Sequence, residues 1–240
     1  MIRRLAIACA ALALAGPAFA DDREKALKDI SERVAAAEKA VVENPADAAA
    51  RKTLASAYVA AGQVLLDQNK VQEADAIYRK GIAVYEQLVA ATPADADLRN
   101  GLAGGLDGVG QLSVKVGKMA EGEASYRKAL SIRDKLVADS PKVAAYRLGL
   151  ARTRLNLAIL HQQTGRLAES EPGFRAAIAI LEKLSADSPS EPAFLRDLYR
   201  GYYGLALFFK QAGKSAEFEA MLEKAKATQA TLKKLEKETQ

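Results

Sequence analysis

The sequence predicts an all-α solenoid of stacked antiparallel helix pairs, about nine helices in total, and three observations carry that expectation. Prolines at Pro45, Pro93, Pro141 and Pro189 recur every 48 residues without an insertion. The same offset aligns Asn69, Gly117, Gly165 and Gly213 between two helix-length stretches of each unit. Within those stretches apolar residues return every three or four positions, as in Leu54, Tyr58, Ala61 and Leu65, the spacing of one helical face. One helix pair cannot bury two such stripes alone, so the units must stack on their neighbours.

At the N-terminus, Arg3 and Arg4, the apolar run from Leu5 to Ala15, and Ala18-Phe19-Ala20 before Asp21 have the layout of a secretory signal over residues 1–20, with cleavage after Ala20 and a periplasmic or secreted destination. Ala6-Ile7-Ala8-Cys9 offers a looser, lipid-attached alternative. The apolar run is well short of the ~20 residues a membrane span requires. Removing the signal removes the only cysteine, leaving packing as the source of stability.

Residues 21–44, with Leu27, Ile30, Val34 and Val41 on one face, are expected to form an N-terminal capping helix. Four units follow at 45–92, 93–140, 141–188 and 189–240. The pairs Asn44-Pro45, Thr92-Pro93, Ser140-Pro141 and Ser188-Pro189 are expected to start each first helix, a capping side chain preceding a proline at the first helical position. Asp47, Asp95 and Glu191 would add acidic first turns, and Pro192 would delay the start of the last unit. The Asn/Gly column marks the left-handed residue that ends a first helix. Glu73, Glu121, Glu169 and Glu217 then fall in the first turn of each second helix, where a carboxylate meets free N–H groups. The final helix, rich in Lys and Glu from Lys224 to Glu238, is polar as a terminal unit must be.

The order of large and small residues resembles the tetratricopeptide repeat. Unit one reads Tyr58, Ala61-Gly62, Leu65, then Ala74, Tyr78, Gly81; unit two Leu106, Val109-Gly110, Gly122, Tyr126, Ala129; and unit three Leu157-Ala158, Gly165, Phe174, Ala177. The resemblance implies a right-handed superhelix whose first helices line a concave, partner-binding surface. It departs from the family in period, which is usually 34 residues, so that each helix here would be about two turns longer. The usual Trp is absent, and Arg154 stands at that position in unit three.

On the concave surface the resemblance places Gln111, Lys115, Arg152, Asn156, Gln163, Arg200, Tyr203 and Lys210 as candidate partner-binding residues. Arg152, Asn156, Arg200 and Lys210 look like the basic and amide set that holds a peptide carboxylate, so the expected partner is a protein or peptide with an acidic or C-terminal carboxylate segment. Phe194, Tyr199, Tyr202, Tyr203, Phe208, Phe209 and Phe218 gather in the last unit, most of them as core and the rest as a patch for a partner or a second copy. Gly101, Gly104, Gly105, Gly108 and Gly110 lie inside a helix rather than after a strand, which argues for close packing over a phosphate loop, with a deepened groove as the alternative.

No catalytic residue, metal ligand or cofactor is assigned. His161, the only histidine, aligns with Leu65, Ser113 and Phe209 on an inward face and shows no companion ligands in sequence. Nearly balanced, interspersed charge gives no stripe for nucleic acid. The expected function is a non-enzymatic interaction scaffold; the alternative is an accessory or assembly subunit of a cell-envelope complex that docks through the aromatic C-terminal unit.

Overall fold

A computed structural model describes residues 17–238, with side chains from Arg23 onward. The apolar run, the arginine pair and Cys9 of the expected signal lie outside the described residues. The described chain forms α1 (Pro17–Glu43), α2 (Ala48–Asp67), α3 (Val71–Ala91), α4 (Ala96–Lys115), α5 (Met119–Asp139), α6 (Ala144–Gln163), α7 (Leu167–Asp187), α8 (Pro192–Gln211) and α9 (Ser215–Glu238). It is an all-α solenoid. Each helix packs antiparallel on the next, and the backbones of α2, α4, α6 and α8 also approach in succession, whereas the odd-numbered helices stand farther apart and meet through long side chains, as where Lys224 of α9 lies 3.7 Å from Glu182 of α7. The even helices therefore lie on the inner side of the curve and line its concave face.

The turn inside each pair is a Schellman motif. Asn69, Gly117, Gly165 and Gly213 take φ of 64°, 83°, 77° and 72°, the left-handed geometry expected of that column. Lys70 N–H donates to Leu65 O at 2.9 Å and Asn69 N–H to Leu66 O at 3.0 Å, and the other three turns repeat both bonds. Glu73, Glu121, Glu169 and Glu217 fall in the first turns of α3, α5, α7 and α9.

The turns between pairs differ from expectation. Thr92, Ser140 and Ser188 end the preceding helices, their N–H groups bonded to Leu88, Leu136 and Leu184 O, and the prolines sit in the turn rather than at the first helical position. A residue before proline is driven out of the helical region, so the X-Pro column stops a helix instead of starting one. The starts belong to Asp47, which accepts from Ala49 N–H at 2.8 Å, to Asp95, which accepts from Leu98 N–H at 3.0 Å, and to Glu191; Val143 serves without a side-chain cap. Pro192 is the first residue of α8 and causes no delay, because a first-turn N–H is unused anyway.

Packing follows a large-into-small rule within and between units. The Tyr78 ring of α3 lies against Gly62 of α2 and Gly108 of α4 so closely that a Cβ at either glycine would come within 2.7 or 2.2 Å of it. Tyr126 stands the same way against Gly110, and Phe174 against Gly204. The most extensive apolar cluster joins α6 to α9 around Leu155, Phe174, Leu181, Leu205 and Phe208. The ends are thinner: α1 buries Ile30 and Ala37, and α9 buries Ala225.

Candidate interaction groove

Four of the eight residues predicted for partner binding converge. Gln111 and Lys115 of α4, Asn156 of α6 and Arg200 of α8 surround a pocket of about 180 Å³ whose wall includes Tyr126. Asn156 is buried and accepts a hydrogen bond from Arg200 Nη2. Arg200 is open to water but ringed by protein on the groove floor. That desolvation holds its pKa below the usual guanidinium range against the pull of Asp197, Tyr126 and Asp107. Lys115 reaches across to α2 and donates to Leu66 O at 3.1 Å, where a cation suits a helix C-terminus.

Arg152 stands one unit before Arg200 in the same column, with Nε bonded to the buried Asp197 carboxylate at 2.5 Å and the side chain 46% exposed. The remaining candidates lie elsewhere. Lys210 holds its ammonium 5.7 Å from the Phe218 ring on α9, at the seam of its own helix pair, so it does not join Arg152 and Arg200 as the carboxylate-holding set requires. Tyr203 is exposed and stacks on Tyr199 at 5.9 Å. Gln163 is exposed at the last position of α6.

A second, larger pocket of about 400 Å³ opens between α2 and α4, lined by Gln63, Tyr78, Tyr85, Asn100, Gly101, Gly104, Gly108, Gln111 and Arg133 among others. Gln111 borders both pockets and joins them into one groove. Arg133 of α5 was not anticipated. Its Nη1 donates to the Asp107 carboxylate, to Thr153 Oγ1 and, at 2.7 Å, to Gly149 O, tying α4, α5 and α6 together. Burial raises the Asp107 pKa, opposed by Arg133 and the Thr153 hydroxyl. Gly149 leaves the space the guanidinium occupies, since a Cβ there would lie 2.8 Å from Arg133 Nε. The sequence held a signal for this network. Asp107 stands in the column of Val59 and Leu155, and Arg133 in that of Tyr85 and Leu181, so two apolar columns turn ionic in the same unit.

The glycines of α4 divide by role. A Cβ at Gly101 would lie 2.3 Å from the Tyr85 ring, one at Gly105 2.8 Å from Ile82 and one at Gly110 2.5 Å from Tyr126, so close packing explains these positions. At Gly104 the nearest atom is Arg133 Nη2, 4.0 Å away, and the space is the pocket itself.

His161 is buried inside its helix pair, and unlike the sequence reading the fold brings it acidic neighbours: Nε2 lies 3.5 Å from Glu123 Oε1 and 4.0 Å from Glu169 Oε2. Glu123 also receives two bonds at 2.7 Å from Arg166 and two from Arg127, and these arginines, Arg166 foremost, pull its pKa down to about 2. Among the described residues no cluster of His, Cys, Asp and Glu is placed to hold a metal ion, and no helix is long and apolar enough to cross a membrane.

Repeated pairs of long helices, a concave inner row of helices and a polar groove define a helical-repeat protein. The tetratricopeptide repeat family model matches residues 54–93 and 150–190, which supports a tetratricopeptide-repeat protein. BtubC (BKLC) from P. vanneervenii is similar in structure, with 17% identity over 88% of this chain and 92% of its own, and a TM-score of 0.54. A thermophilic tetratricopeptide-repeat protein of Thermus thermophilus has 16% identity over 89% and 98%, with a TM-score of 0.42. YrrB, a tetratricopeptide-repeat protein with an unusual peptide-binding site, has 17% identity over 92% and 89%, with a TM-score of 0.40. At 17% identity the likeness to BtubC is one of fold alone. No curated protein matches the sequence.

Proposed function

We propose that this chain is a non-catalytic scaffold that holds an acidic protein segment in its concave groove. One observation carries the reading: Gln111, Lys115, Asn156 and Arg200, from three successive inner helices, meet around one pocket, with the half-exposed Arg152 beside it. Cations in a partly desolvated cleft form stronger bonds to carboxylates than exposed ones do. The sequence layout of residues 1–20 supports a periplasmic site of action. Selection of a random 12-residue peptide library against the protein is expected to enrich Asp and Glu. The selected peptides should bind an Arg152→Ala/Arg200→Ala variant about tenfold more weakly and lose affinity as salt rises. Peptides that bind the double variant as tightly refute the acidic-segment reading.

A specific feature favours a second reading, an accessory or assembly subunit that docks through its C-terminal end. Tyr199 and Tyr203 occupy columns where Ala151 and Leu155 are fully buried by the following unit, yet Tyr203 is 42% exposed. A partner or second copy that needs this stack is lost in Tyr199→Ala/Tyr203→Ala while peptide binding in the groove persists.

A further inference from the structure

We infer that the pocket between α2 and α4 takes a neutral carboxamide side chain, Asn or Gln, of the bound segment; this rests on the groove reading above. Three observations converge on it. Gly104 is a glycine without a packing reason, and it stands where the other units carry Ser56, Arg152 and Arg200, side chains that would fill the mouth of the pocket. Arg133 is buried, with Nη1 engaged by Asp107, Thr153 and Gly149, while Nη2 makes no hydrogen bond and points toward the empty space at Gly104. On the same face of α4, one turn earlier, the Asn100 side-chain oxygen is buried without a hydrogen-bond partner, and a turn of its carboxamide at the pocket wall would present it to a donor there.

The charges decide the ligand. Arg133 is already neutralised by Asp107, whose second oxygen is itself buried without a partner, so an incoming carboxylate meets a site with no net positive charge and an unscreened acid behind it. An incoming ammonium meets the guanidinium. An apolar side chain leaves Nη2 and the Asn100 oxygen covered and unpaired, which is unfavourable. A carboxamide supplies both complements at once, its oxygen to Arg133 Nη2 and its amide hydrogens to Asn100. Because Gln111 borders both pockets, the segment would place this side chain N-terminal in the array to the acidic residues held near Arg200.

The test uses the selected 12-residue peptides, their affinities read by fluorescence anisotropy. A Gln or Asn is expected at one fixed distance from the acidic positions, and its exchange for Glu or norleucine should weaken binding about tenfold. Gly104→Arg, which copies the side chain of units three and four into open space, should abolish that preference while leaving the contribution of Arg152 and Arg200 intact. Asn100→Leu removes the acceptor from a half-buried site and should act in the same direction, should Gly104→Arg fold poorly by circular dichroism. Peptides without a fixed amide residue, or ones that bind both variants as tightly, overturn this inference alone. A library that yields no binder overturns the groove reading and this inference with it.

Discussion

At the residue scale the instructive contact is the ion pair between Arg133 and Asp107. Both side chains are buried, and taking two charges out of water offsets much of their attraction, whereas leaving one of them alone costs about 3–5 kcal/mol. Arg133→Leu by itself should therefore destabilise the protein by about that amount in urea unfolding. The double change Asp107→Leu/Arg133→Leu installs the pair that unit three already uses, Leu155 and Leu181, both fully buried, and should return the stability to within about 1 kcal/mol of the parent. A double variant as unstable as the single one would mean that Thr153 and Gly149, not charge burial, dominate the site. The protein keeps a network that hydrophobic packing could replace, which fits the use of the guanidinium's other edge in the groove.

The same site shows what the sequence could and could not disclose. Columns that repeat were legible: the left-handed Asn69 and its glycine counterparts and the Glu73 column follow from local sterics and helix electrostatics. Columns that break were legible only as oddities. Nothing in one dimension says that Arg133 reaches past Gly149 to Asp107, or that Lys115 spends its charge on Leu66 O, because those contacts join residues 16 to 49 positions apart. Lys210 likewise lies apart from Arg152 and Arg200, since its partner Phe218 is fixed by how α9 folds back on α8. In the X-Pro column two local signals oppose each other within one dipeptide, and the proline's effect on the residue before it outweighs that residue's tendency to cap a helix.

At the scale of the element, α4 is a helix with five glycines in its interior, each unfavourable by about 0.8–1 kcal/mol relative to Ala in an exposed helix. Four of them hold neighbouring side chains at contact distance and one does not, which separates their substitutions by sign. Gly108→Ala must displace the Tyr78 ring, itself fixed from the other side by Gly62, and should destabilise by about 1–3 kcal/mol. Gly104→Ala meets only Arg133 Nη2 at ordinary distance and should stabilise by up to about 1 kcal/mol. Thermal or urea midpoints of the two variants, measured side by side, check both signs. A destabilised Gly104→Ala would show that α4 needs its looseness at the pocket mouth.

Units two and three are also joined by an acidic clasp, and its titration reaches the whole array. Glu123 of α5 is held by Arg166 at the turn before α7, so its pKa stands at about 2 in the folded chain against an ordinary 4.5. A depressed folded pKa contributes stability that is complete above about pH 4.5 and disappears as pH falls toward 2, because the unfolded chain takes up the proton first. The midpoint of urea unfolding should therefore fall across that window, and Glu123→Gln should flatten the fall while lowering stability at pH 7. An unchanged slope in the variant would assign the acid sensitivity to other carboxylates.

In the whole molecule, stability is the sum of unit interiors and the seams between them, and the described chain distributes both unevenly. The cluster from α6 to α9 gathers Leu155, Phe174, Leu181, Leu184 and Leu205, all essentially inaccessible to solvent. In the first half the cores are smaller, and α4 gives up side-chain volume to its glycines and its pocket. The end helices are weaker still, α1 resting on Ile30 and Ala37 and α9 on Ala225. A linear array opens from its ends and at its thinnest seam, since each unit is held only by its neighbours. Amide hydrogen exchange is accordingly expected to be slowest in α7 and α8, earlier in α4, and earliest in α1 and the second half of α9. An occupied groove should slow α4 most, because a ligand that binds only the closed array adds its binding energy to the helices it bridges. Uniform protection from α2 to α8 would instead require the seam at α4 to be as strong as the aromatic one between α7 and α8, and would remove the reason for regarding the glycine-lined helix as the part of the scaffold that yields to a partner.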